Sequence, residues 1–308
     1  MKQTDVIIPV YKPTNRLFAL LDKLKEQTVP IHKIYLINTE QKYFDALIAG
    51  TDFWHRYKNV EVKHISRKEF DHGHTRRRAA EAAESPCFVM MTDDAIPQND
   101  RLIESLLTPI WEKKAAMSYA RQLPNEECGV IERYTRSFNY PDRSVIKGVA
   151  DLEKMGIKTF FASNACAAYD KEVYEKLGGF VKRTIFNEDM IYARKVIDAG
   201  YKIAYVAEAE VIHSHNYTGV QQFQRNFDLG VSHAQFPETF NGLKTEGEGI
   251  RLVKQTSKHL VSIGKPWLIV KLFWQSFCKY AGYFLGKRYQ KLPEKMVRAC
   301  SMNKFFWK

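Results

Sequence analysis

The sequence is poor in cysteine and has no long uncharged apolar run. Its five cysteines are scattered through 308 residues, are odd in number and include no close pair that would seat zinc. This usage favours a reducing compartment over a disulfide scaffold. No uncharged run approaches the roughly 18 residues that a membrane-spanning helix needs, and the N-terminal residues lead into a strand pattern instead of a signal peptide. We therefore expect a cytoplasmic protein with its own core.

Two glycine-rich phosphate-binding patterns are also missing. There is no GxxxxGK[ST] loop and no dinucleotide-binding glycine fingerprint. Their absence disfavours kinase-like use of ATP and binding of a nicotinamide dinucleotide.

Acidic residues are nearly absent from the C-terminal part of the chain. Residues 251–308 carry 13 Lys or Arg against one Glu, whereas the other 250 residues hold 34 basic and 34 acidic side chains, so this tail accounts for the entire net charge of +12. The tail also holds 11 of the 40 aromatic residues. A basic, aromatic tail on a neutral body suggests chemistry in the body and attachment through the tail.

The apolar pattern of the tail predicts one long helix over Pro266–Leu285. A narrow polar stripe on it comprises Lys271, Gln275, Lys279 and Gly282. A basic helix rich in Trp and Phe is suited to lie in a membrane interface, and further basic and aromatic residues follow it. The alternative is a core helix that packs on the body, with its lysines as the solvated face. We predict peripheral attachment to the inner face of the cell membrane.

The first hundred residues alternate strands and helices. Apolar runs of strand length lie at Asp5–Val10, Lys33–Asn38, Val60–Ile65 and Cys87–Met91. Such alternation predicts an α/β fold with a mostly parallel sheet and helices on both faces. In these sheets ligands bind beyond the carboxyl ends of the strands. We expect a catalytic domain over residues 1–235 and a helical C-terminal region over residues 236–308.

The second half is less regular, and its elements are less sharply marked. The pattern predicts a loop over residues 139–158, a helix over Asn187–Ala199 and strands at Phe160–Tyr169, Tyr201–Val206 and Glu210–His213. From residue 218 onward, helical patterns dominate.

An acid pair, Asp93-Asp94, directly follows the fourth apolar strand. Carboxylates at a strand end suit a hard divalent cation, which prefers oxygen ligands. The alternative is an ordinary polar turn, in which Asp is common.

Two later motifs are candidates for acid–base and metal chemistry. Glu188-Asp189 lies at the start of a predicted helix, where it is either a cap stabilised by the helix dipole or a general base. His213 and His215 are two apart at the end of a predicted strand, so both rings can point the same way. They are suited to a cation or a phosphate, or else are structural histidines.

A turn containing Gly73 leads into a helix that begins with arginines, among them Arg76. A helix N-terminus with arginine suits a diphosphate. The alternative is a solvated basic first turn.

The order of these motifs resembles the inverting family 2 glycosyltransferases with the Rossmann-like GT-A fold, over roughly residues 4–235. The resemblance implies that Pro9 and Tyr11, at the end of the first strand, lie at the nucleotide base, and Asn38 stands where the family usually has an aspartate. It likewise assigns Gly73 and Arg76 to the nucleotide, and Asp93 and Asp94 to the family's Asp-x-Asp motif.

The resemblance also implies the catalytic groups. In the family's Glu-Asp motif, matched here by Glu188 and Asp189, the aspartate is the usual base. Asp94, with one or both of His213 and His215, would hold Mg²⁺ or Mn²⁺ against the diphosphate of the donor.

Three sets of residues are similar to bacterial rhamnosyltransferases that build rhamnose-rich polysaccharides: Phe70–Gly73 with Thr75-Arg76, Met91–Pro97, and Arg183–Met190 with His213–Tyr217. Many of those enzymes have Gln at the position of Asp93. The resemblance implies transfer of L-rhamnose from dTDP-rhamnose, with inversion, to a lipid-linked glycan, and no nucleic-acid partner.

Two other functions are compatible with parts of the sequence. The pI of about 9.3 and the basic tail suit a nucleic-acid-binding protein, although the excess charge lies outside the α/β body and no recognition motif is present. A sugar-nucleotide pyrophosphorylase has a related sheet but usually carries a glycine-rich stretch after its first strand, where this chain has Val10-Tyr11-Lys12-Pro13.

Overall fold

A computed structural model describes residues 3–242 and 246–307, and within these residues nine strands form one sheet. The strands are β1 Thr4–Tyr11, β2 Ile31–Thr39, β3 Val60–Ile65, β4 Cys87–Met91, β5 Ile96–Pro97, β6 Met117–Leu123, β7 Val145–Lys147, β8 Cys166–Asp170 and β9 Ile203–Ile212. Apart from short extensions, the first four coincide with the predicted strands.

Helices connect and cover the strands. They are α1 Asn15–Lys25, α2 Gln41–Ile48, α3 Phe53–Arg56, α4 His72–Ala82, α5 Leu102–Trp111, α6 Val130–Asn139, α7 Leu152–Met155, α8 Lys171–Lys176, α9 Glu188–Asp198, α10 Gly219–Gln235, α11 Pro237–Phe240, α12 Glu246–Ser262, α13 Leu268–Gly286 and α14 Glu294–Cys300. Thr14 caps α1 by accepting a hydrogen bond from the Arg16 N–H.

The strand order across the sheet is β3-β2-β1-β4-β8-β6-β9-β5, and β7 also pairs with β9. Six strands (β1–β4, β6 and β9) run in one direction, whereas β5, β7 and β8 run in the other. The prediction of a mostly parallel α/β sheet is therefore confirmed.

The core lies on both faces of this sheet. Along β1, Val6 and Ile8 point into one apolar cluster, which contains buried residues of α1 and α5, and Ile7 points into a second cluster with residues of α4 and α9. This alternation is the period-2 pattern of a strand that is covered on both sides.

The second half departs from the predicted elements in three places. Strand β8 is shorter than the predicted 160–169 strand, because residues 156–160 form a 3₁₀ helix. The side chains of Ser163 and Asn164 bond instead to Gln122 and Glu188. The two predicted strands over 201–213 are one strand, β9, with an irregularity opposite β6. The predicted 139–158 loop contains β7, whose Lys147 is buried and donates to the Lys158 and Phe161 carbonyls.

The tail packs on the body through a close contact between α10 and α13. A Cβ added to Gly282 or Gly286 would collide with the carbonyl oxygens of Phe223 and Phe227 on α10. Glycine at these two positions lets the helix backbones approach. The predicted 235/236 boundary therefore falls at the end of a helix that contacts the tail.

The face of α13 that meets the body contains most of the polar stripe together with Leu272 and Cys278, whereas Lys271 is exposed. Gln275 lies 3.5 Å from the Tyr217 carbonyl oxygen, Gly282 is buried against α10, and Lys279 is half-buried. Most of the large apolar side chains point outward instead, and those most exposed are Trp267, Val270, Phe273, Trp274, Phe277, Tyr280 and Phe284. A core helix that packs through its apolar face would bury these side chains.

Candidate active site

The candidate metal ligands meet because a short antiparallel pairing joins two distant segments. Strand β5 pairs with the end of β9, with Ile96 opposite Ile212. Asp94 precedes Ile96 by two residues and His213 follows Ile212, so the pairing places their side chains side by side. Residues about 120 positions apart in sequence thus share one site.

Asp94, His213 and His215 form a compact trio. The carboxylate oxygens of Asp94 lie 3.4 Å from His213 Nε2 and 3.3 Å from His215 Nε2, and the two Nε2 atoms are 3.1 Å apart. One ligand atom from each residue falls within a 4.8 Å span. One carboxylate oxygen and two imidazole nitrogens are a donor set that suits a divalent metal.

The residues around His213 set its tautomer. Its Nδ1 lies 2.8 Å from Gln122 Oε1, and Arg136, which can only donate, contacts the same oxygen. The Gln122 oxygen is therefore an acceptor, His213 donates its Nδ1–H, and the lone pair of Nε2 is left for the trio. A ligand histidine is commonly oriented by such a partner.

Protonation states at the trio also fit a cation. Burial opposes ionisation of Asp94, but the neighbouring histidines, His213 first and then His215, hold the pKa of that carboxyl well below its usual range. Burial, followed by the neighbouring His213, lowers the pKa of His215 to about 4. Near neutral pH, Asp94 is an anion and His215 a neutral ring, the states in which both act as ligands.

Asp93 differs from the neighbouring Asp94 in the direction of its pKa shift. Burial, together with the charge of Asp94, raises the pKa of Asp93 to about 7. The trio itself does not include it.

Glu188 and Asp189 open α9 and have different partners. Glu188 is buried, accepts a hydrogen bond from the Asn164 side chain and lies 3.3 Å from the Arg76 guanidinium. Asp189 accepts hydrogen bonds from the backbone N–H groups of Asn164 and Met190, at 2.9 and 2.8 Å. The two neighbouring carboxylates thus differ in their partners, because Glu188 is paired with a cation and Asp189 with backbone N–H groups.

The pKa values of this pair move in opposite directions. Burial disfavours ionisation of both, but the charge of Arg76 holds the pKa of Glu188 below its usual range. Burial and the negative charge of Glu188 raise the pKa of Asp189. A carboxylate with a raised pKa is a stronger proton acceptor, as a general base requires.

The backbone before α9 is strained. Asn187 has φ +65°, in the left-handed region, and its side chain lies 3.3 Å from Ser232 on α10. Asn tolerates this conformation better than most residues. The turn directs the first residues of α9 toward residues 163–165, which lie beside the end of β4.

The start of α4 is packed against the loop that precedes α9. Asp71 caps α4 by accepting from the His74 N–H at 2.8 Å, and it also accepts from the Thr184 N–H at 3.3 Å. A Cβ on Gly73 would collide with the Val181 carbonyl oxygen. Gly73 thereby allows the close approach that brings Arg76 to Glu188.

The other predicted nucleotide-binding residues lie at the ends of β1 and β2. Pro9 is half-buried and Tyr11 is 39% exposed, with its ring 5.9 Å from Tyr43. Asn38 is fully buried and contacts His64 at 3.0 Å. Tyr11 is therefore partly accessible to solvent, with Arg67 over its ring at 5.2 Å, whereas the side chain of Asn38 is enclosed by the protein.

Comparison with known proteins assigns the chain to a family. The sequence model of Glycosyl transferase family 2 matches residues 5–178, more than half of the chain. The chain belongs to glycosyltransferase family 2. It is thus an enzyme that transfers a hexosyl group. The family membership contradicts the two alternative functions considered from the sequence, a nucleic-acid-binding protein and a sugar-nucleotide pyrophosphorylase.

Two curated relatives of this glycosyltransferase match over nearly their whole length. The O-antigen chain rhamnosyltransferase RfbN of Salmonella typhimurium is 39% identical over 98% of this chain and 95% of its own. The O-antigen chain rhamnosyltransferase WbaN of Salmonella anatum is 40% identical over 100% of this chain and 96% of its own.

Solved structures confirm the predicted GT-A fold. S. aureus TarS 1–349 superposes with a TM-score of 0.56 at 14% identity, covering 98% of this chain and 84% of that one. Mannosyltransferase PcManGT from Pyrobaculum calidifontis, in complex with GDP-Man and Mn²⁺, gives a TM-score of 0.57 at the same identity and coverage.

Three residues that organise the glycosyltransferase site were missed by sequence reasoning. They are Gln122, Arg136 and Asn164. Gln122 and Arg136 orient His213, and Asn164 contacts both carboxylates of the Glu-Asp motif while accepting from the Tyr169 hydroxyl at 2.6 Å. Asn164 lies inside the predicted strand over residues 160–169. The one sequence feature that favours a turn there is the Ser-Asn pair at 163–164.

Proposed function

We propose that this enzyme transfers L-rhamnose from dTDP-rhamnose, with inversion, to a hydroxyl of a lipid-linked polysaccharide precursor. The observation that carries the donor sugar is the pair of rhamnosyltransferase relatives at 39–40% identity over nearly the whole chain. The site geometry supports the chemistry, because a candidate base and a candidate metal site flank the same strand ends.

Asp189 is the proposed base. Its carboxylate accepts only N–H groups in the described contacts, and its pKa is raised, so it can take the proton of an acceptor hydroxyl as that oxygen attacks the sugar. A single displacement from the face opposite the leaving group inverts the anomeric centre. The ion pair between Glu188 and Arg76 is proposed to position the start of α9, which carries Asp189.

Asp94, His213 and His215 are the proposed ligands of a divalent cation. Of Mg²⁺ and Mn²⁺, we propose Mn²⁺, because two of the three donors are imidazole nitrogens and Mg²⁺ prefers an all-oxygen shell. When bound, such a cation neutralises the charge that develops on a leaving diphosphate. Gln122 orients His213 for this role. Pro9, Tyr11, Asn38, Gly73, Arg76 and Asp93 are proposed to surround or shape the nucleotide site.

The tail is proposed to hold the enzyme at the inner face of the membrane. Among the described residues, no helix combines the length and the apolarity needed to cross a bilayer. Helix α13 instead exposes an aromatic face, with Trp267 and Phe273 at 65% and 58% exposure, in a segment of strongly positive charge. Aromatic rings and lysines together fit an anionic lipid interface.

A thermal-shift panel tests the donor and the cation together. We expect dTDP-rhamnose to stabilise the protein more than UDP-glucose or GDP-mannose, and only when Mn²⁺ is present. A ligand at 100 times its Kd adds about 2.7 kcal/mol to the free energy of unfolding. Asp94→Ala should abolish the cation-dependent shift, whereas the exposed Asp100→Asn serves as a matched control and should leave it unchanged. A larger shift with another nucleotide sugar, or one indifferent to chelator, contradicts the proposal.

A further inference from the structure

Arg67 lies at the carboxyl end of the sheet, beside the proposed nucleotide site. It follows β3 by two residues, and its backbone N–H donates at 2.9 Å to the side chain of Glu40, which directly follows β2. Its guanidinium carbon is 5.2 Å from the ring centroid of Tyr11, at the end of β1. The ends of three adjacent strands therefore meet at Arg67, on the edge of the sheet where parallel α/β folds bind ligands.

The half-buried side chain of Arg67 has aromatic neighbours but no hydrogen-bond acceptor. The ring centroid of Phe305 lies 4.0 Å from its guanidinium carbon, closer than that of Tyr11. Within residues 3–242 and 246–307, the guanidinium forms no hydrogen bond and no ion pair. Arginine stacks on aromatic rings and carries five N–H donors. The rings thus hold this guanidinium while its N–H groups remain available to a ligand.

Phe305 is held in place by the backbone on either side of it. Before it, Asp228 on α10 accepts hydrogen bonds from the backbone N–H groups of residues 302 and 303, at 3.0 and 3.2 Å. After it, the ring of Phe306 is buried, and the carbonyl oxygen of Phe306 accepts from Arg183 at 3.1 Å. Phe305 itself is 44% exposed, so these anchors fix its position although its ring adds little to the core.

The position of Arg67 indicates which part of the donor it meets. The Asp94 trio, which we assign to the diphosphate, lies where β5 pairs with β9, at one end of the strand order. Arg67 and Tyr11 follow β3 and β1 in the other half of the sheet. Base and diphosphate are the two ends of a nucleotide, so Arg67 lies on the side of the base. Thymine presents carbonyl oxygens as acceptors, and arginine can only donate.

We propose that the C-terminal end of the chain completes the nucleotide site: Phe305 positions Arg67, and Arg67 donates to a carbonyl oxygen of the pyrimidine base of the donor. This inference rests on the proposed function, because it takes dTDP as the nucleotide. Phe305 is a positioning residue that acts through Arg67 and does not touch the donor. The tail therefore contributes to donor binding independently of its attachment to a membrane.

Calorimetric titration in the presence of Mn²⁺ tests the role of Arg67. We expect Arg67→Gln to weaken dTDP binding at least about ten-fold, as loss of a charge-assisted hydrogen bond predicts, and to leave the affinity for inorganic pyrophosphate unchanged. Lys68→Gln is the matched control, because Lys68 is an exposed cation of the same loop. Unchanged dTDP affinity in Arg67→Gln, an equal loss for pyrophosphate, or an equal loss in Lys68→Gln overturns the proposal.

Variants of Phe305 separate a positioning role from a structural one. Phe305→Ala should weaken dTDP binding about two- to five-fold, the equivalent of one exposed cation–π contact. Phe305→Tyr keeps a ring and should bind dTDP like the wild type, whereas Phe305→Leu keeps only the apolar bulk and should lose as much as Phe305→Ala. Wild-type affinity in Phe305→Leu shows that the ring is not needed and overturns the positioning role.

Phe284→Ala is the matched control for the loss of an exposed ring. Phe284 is 40% exposed and lies 3.7 Å from the guanidinium carbon of Arg288, but it belongs to α13. Its substitution should leave dTDP affinity unchanged, and a loss equal to that in Phe305→Ala contradicts a specific role of Phe305.

A double-mutant cycle shows whether Phe305 acts through Arg67. In the Arg67→Gln background, Phe305→Ala should cause no further loss of dTDP affinity, whereas additive losses mean that the two residues act independently and overturn the proposal. The wild-type protein is titrated with dTDP first, because absence of binding there contradicts the proposed function itself and not the role of Phe305.

Discussion

Asp189 and Glu188 are adjacent, but their surroundings divide their chemistry. Glu188 is paired with Arg76, whereas Asp189 keeps a raised pKa. Because a base must be ionised to accept a proton, kcat/KM should fall as the pH drops through that raised pKa, well above the ordinary carboxylate range near ~4. We expect Asp189→Asn to lower kcat by on the order of 10²-fold or more. Initial rates measure this, and thermal stabilisation by dTDP should be retained.

Glu188→Gln separates the roles of the two carboxyl groups. Removing the negative charge of Glu188 takes away one cause of the raised pKa of Asp189, so the acidic limb of the pH profile should move to lower pH. Near-normal turnover in Asp189→Asn, or an acidic limb that stays in place in Glu188→Gln, would show that the base lies elsewhere.

At the scale of elements, the contact between α10 and α13 depends on glycine. A methyl group at Gly282 would collide with the Phe223 carbonyl oxygen, so Gly282→Ala should lower the free energy of unfolding by about 1–3 kcal/mol, the usual cost of overpacking. In α12, Gly249 has open space around its Cα, and Gly249→Ala should instead stabilise by roughly 0.5–1 kcal/mol. Denaturant unfolding compares them. Equal changes in the free energy of unfolding for the two substitutions would contradict the close contact between α10 and α13.

At the scale of the whole molecule, charge and aromatic surface are concentrated in one region. Each Lys or Arg near an anionic surface contributes about 1 kcal/mol of binding, so four substitutions in the tail should release the enzyme from anionic vesicles at physiological salt. The four changes, each to Gln, are at Lys287, Arg288, Lys291 and Lys295. Vesicle co-sedimentation is the measurement. Activity on a soluble acceptor should be retained.

A second set of four lysine-to-glutamine changes on the body is the control. Its positions are exposed, at Lys42, Lys58, Lys113 and Lys154. Both sets remove the same net charge, so only the location of the charge differs. Vesicle binding that is unaltered by the tail changes, or lost equally in both sets, contradicts attachment through the tail.

The sequence by itself determined the α/β half of the fold and the position of its polar strand ends. Strands β3 and β4 begin and end at the predicted residues, because a short apolar run bounded by turn residues has one stable local solution. Helix α1 is likewise a local structure, because leucines at helical spacing follow the Thr14 cap. The tail charge and the length of its helix are also local properties of the chain.

Tertiary structure alone decided which residues meet and which way the tail helix faces. The pairing of Arg76 with Glu188, the support of His213 by Gln122 and the placement of Asn164 join residues that are 24 to 112 positions apart, and local patterns carry no information on such contacts. The outward aromatic face of α13 was likewise undetermined, since a helix with one narrow polar stripe can bury either side. The side that is buried is the one with Gly282 and Gly286, because only there can the backbone of α10 approach α13 closely.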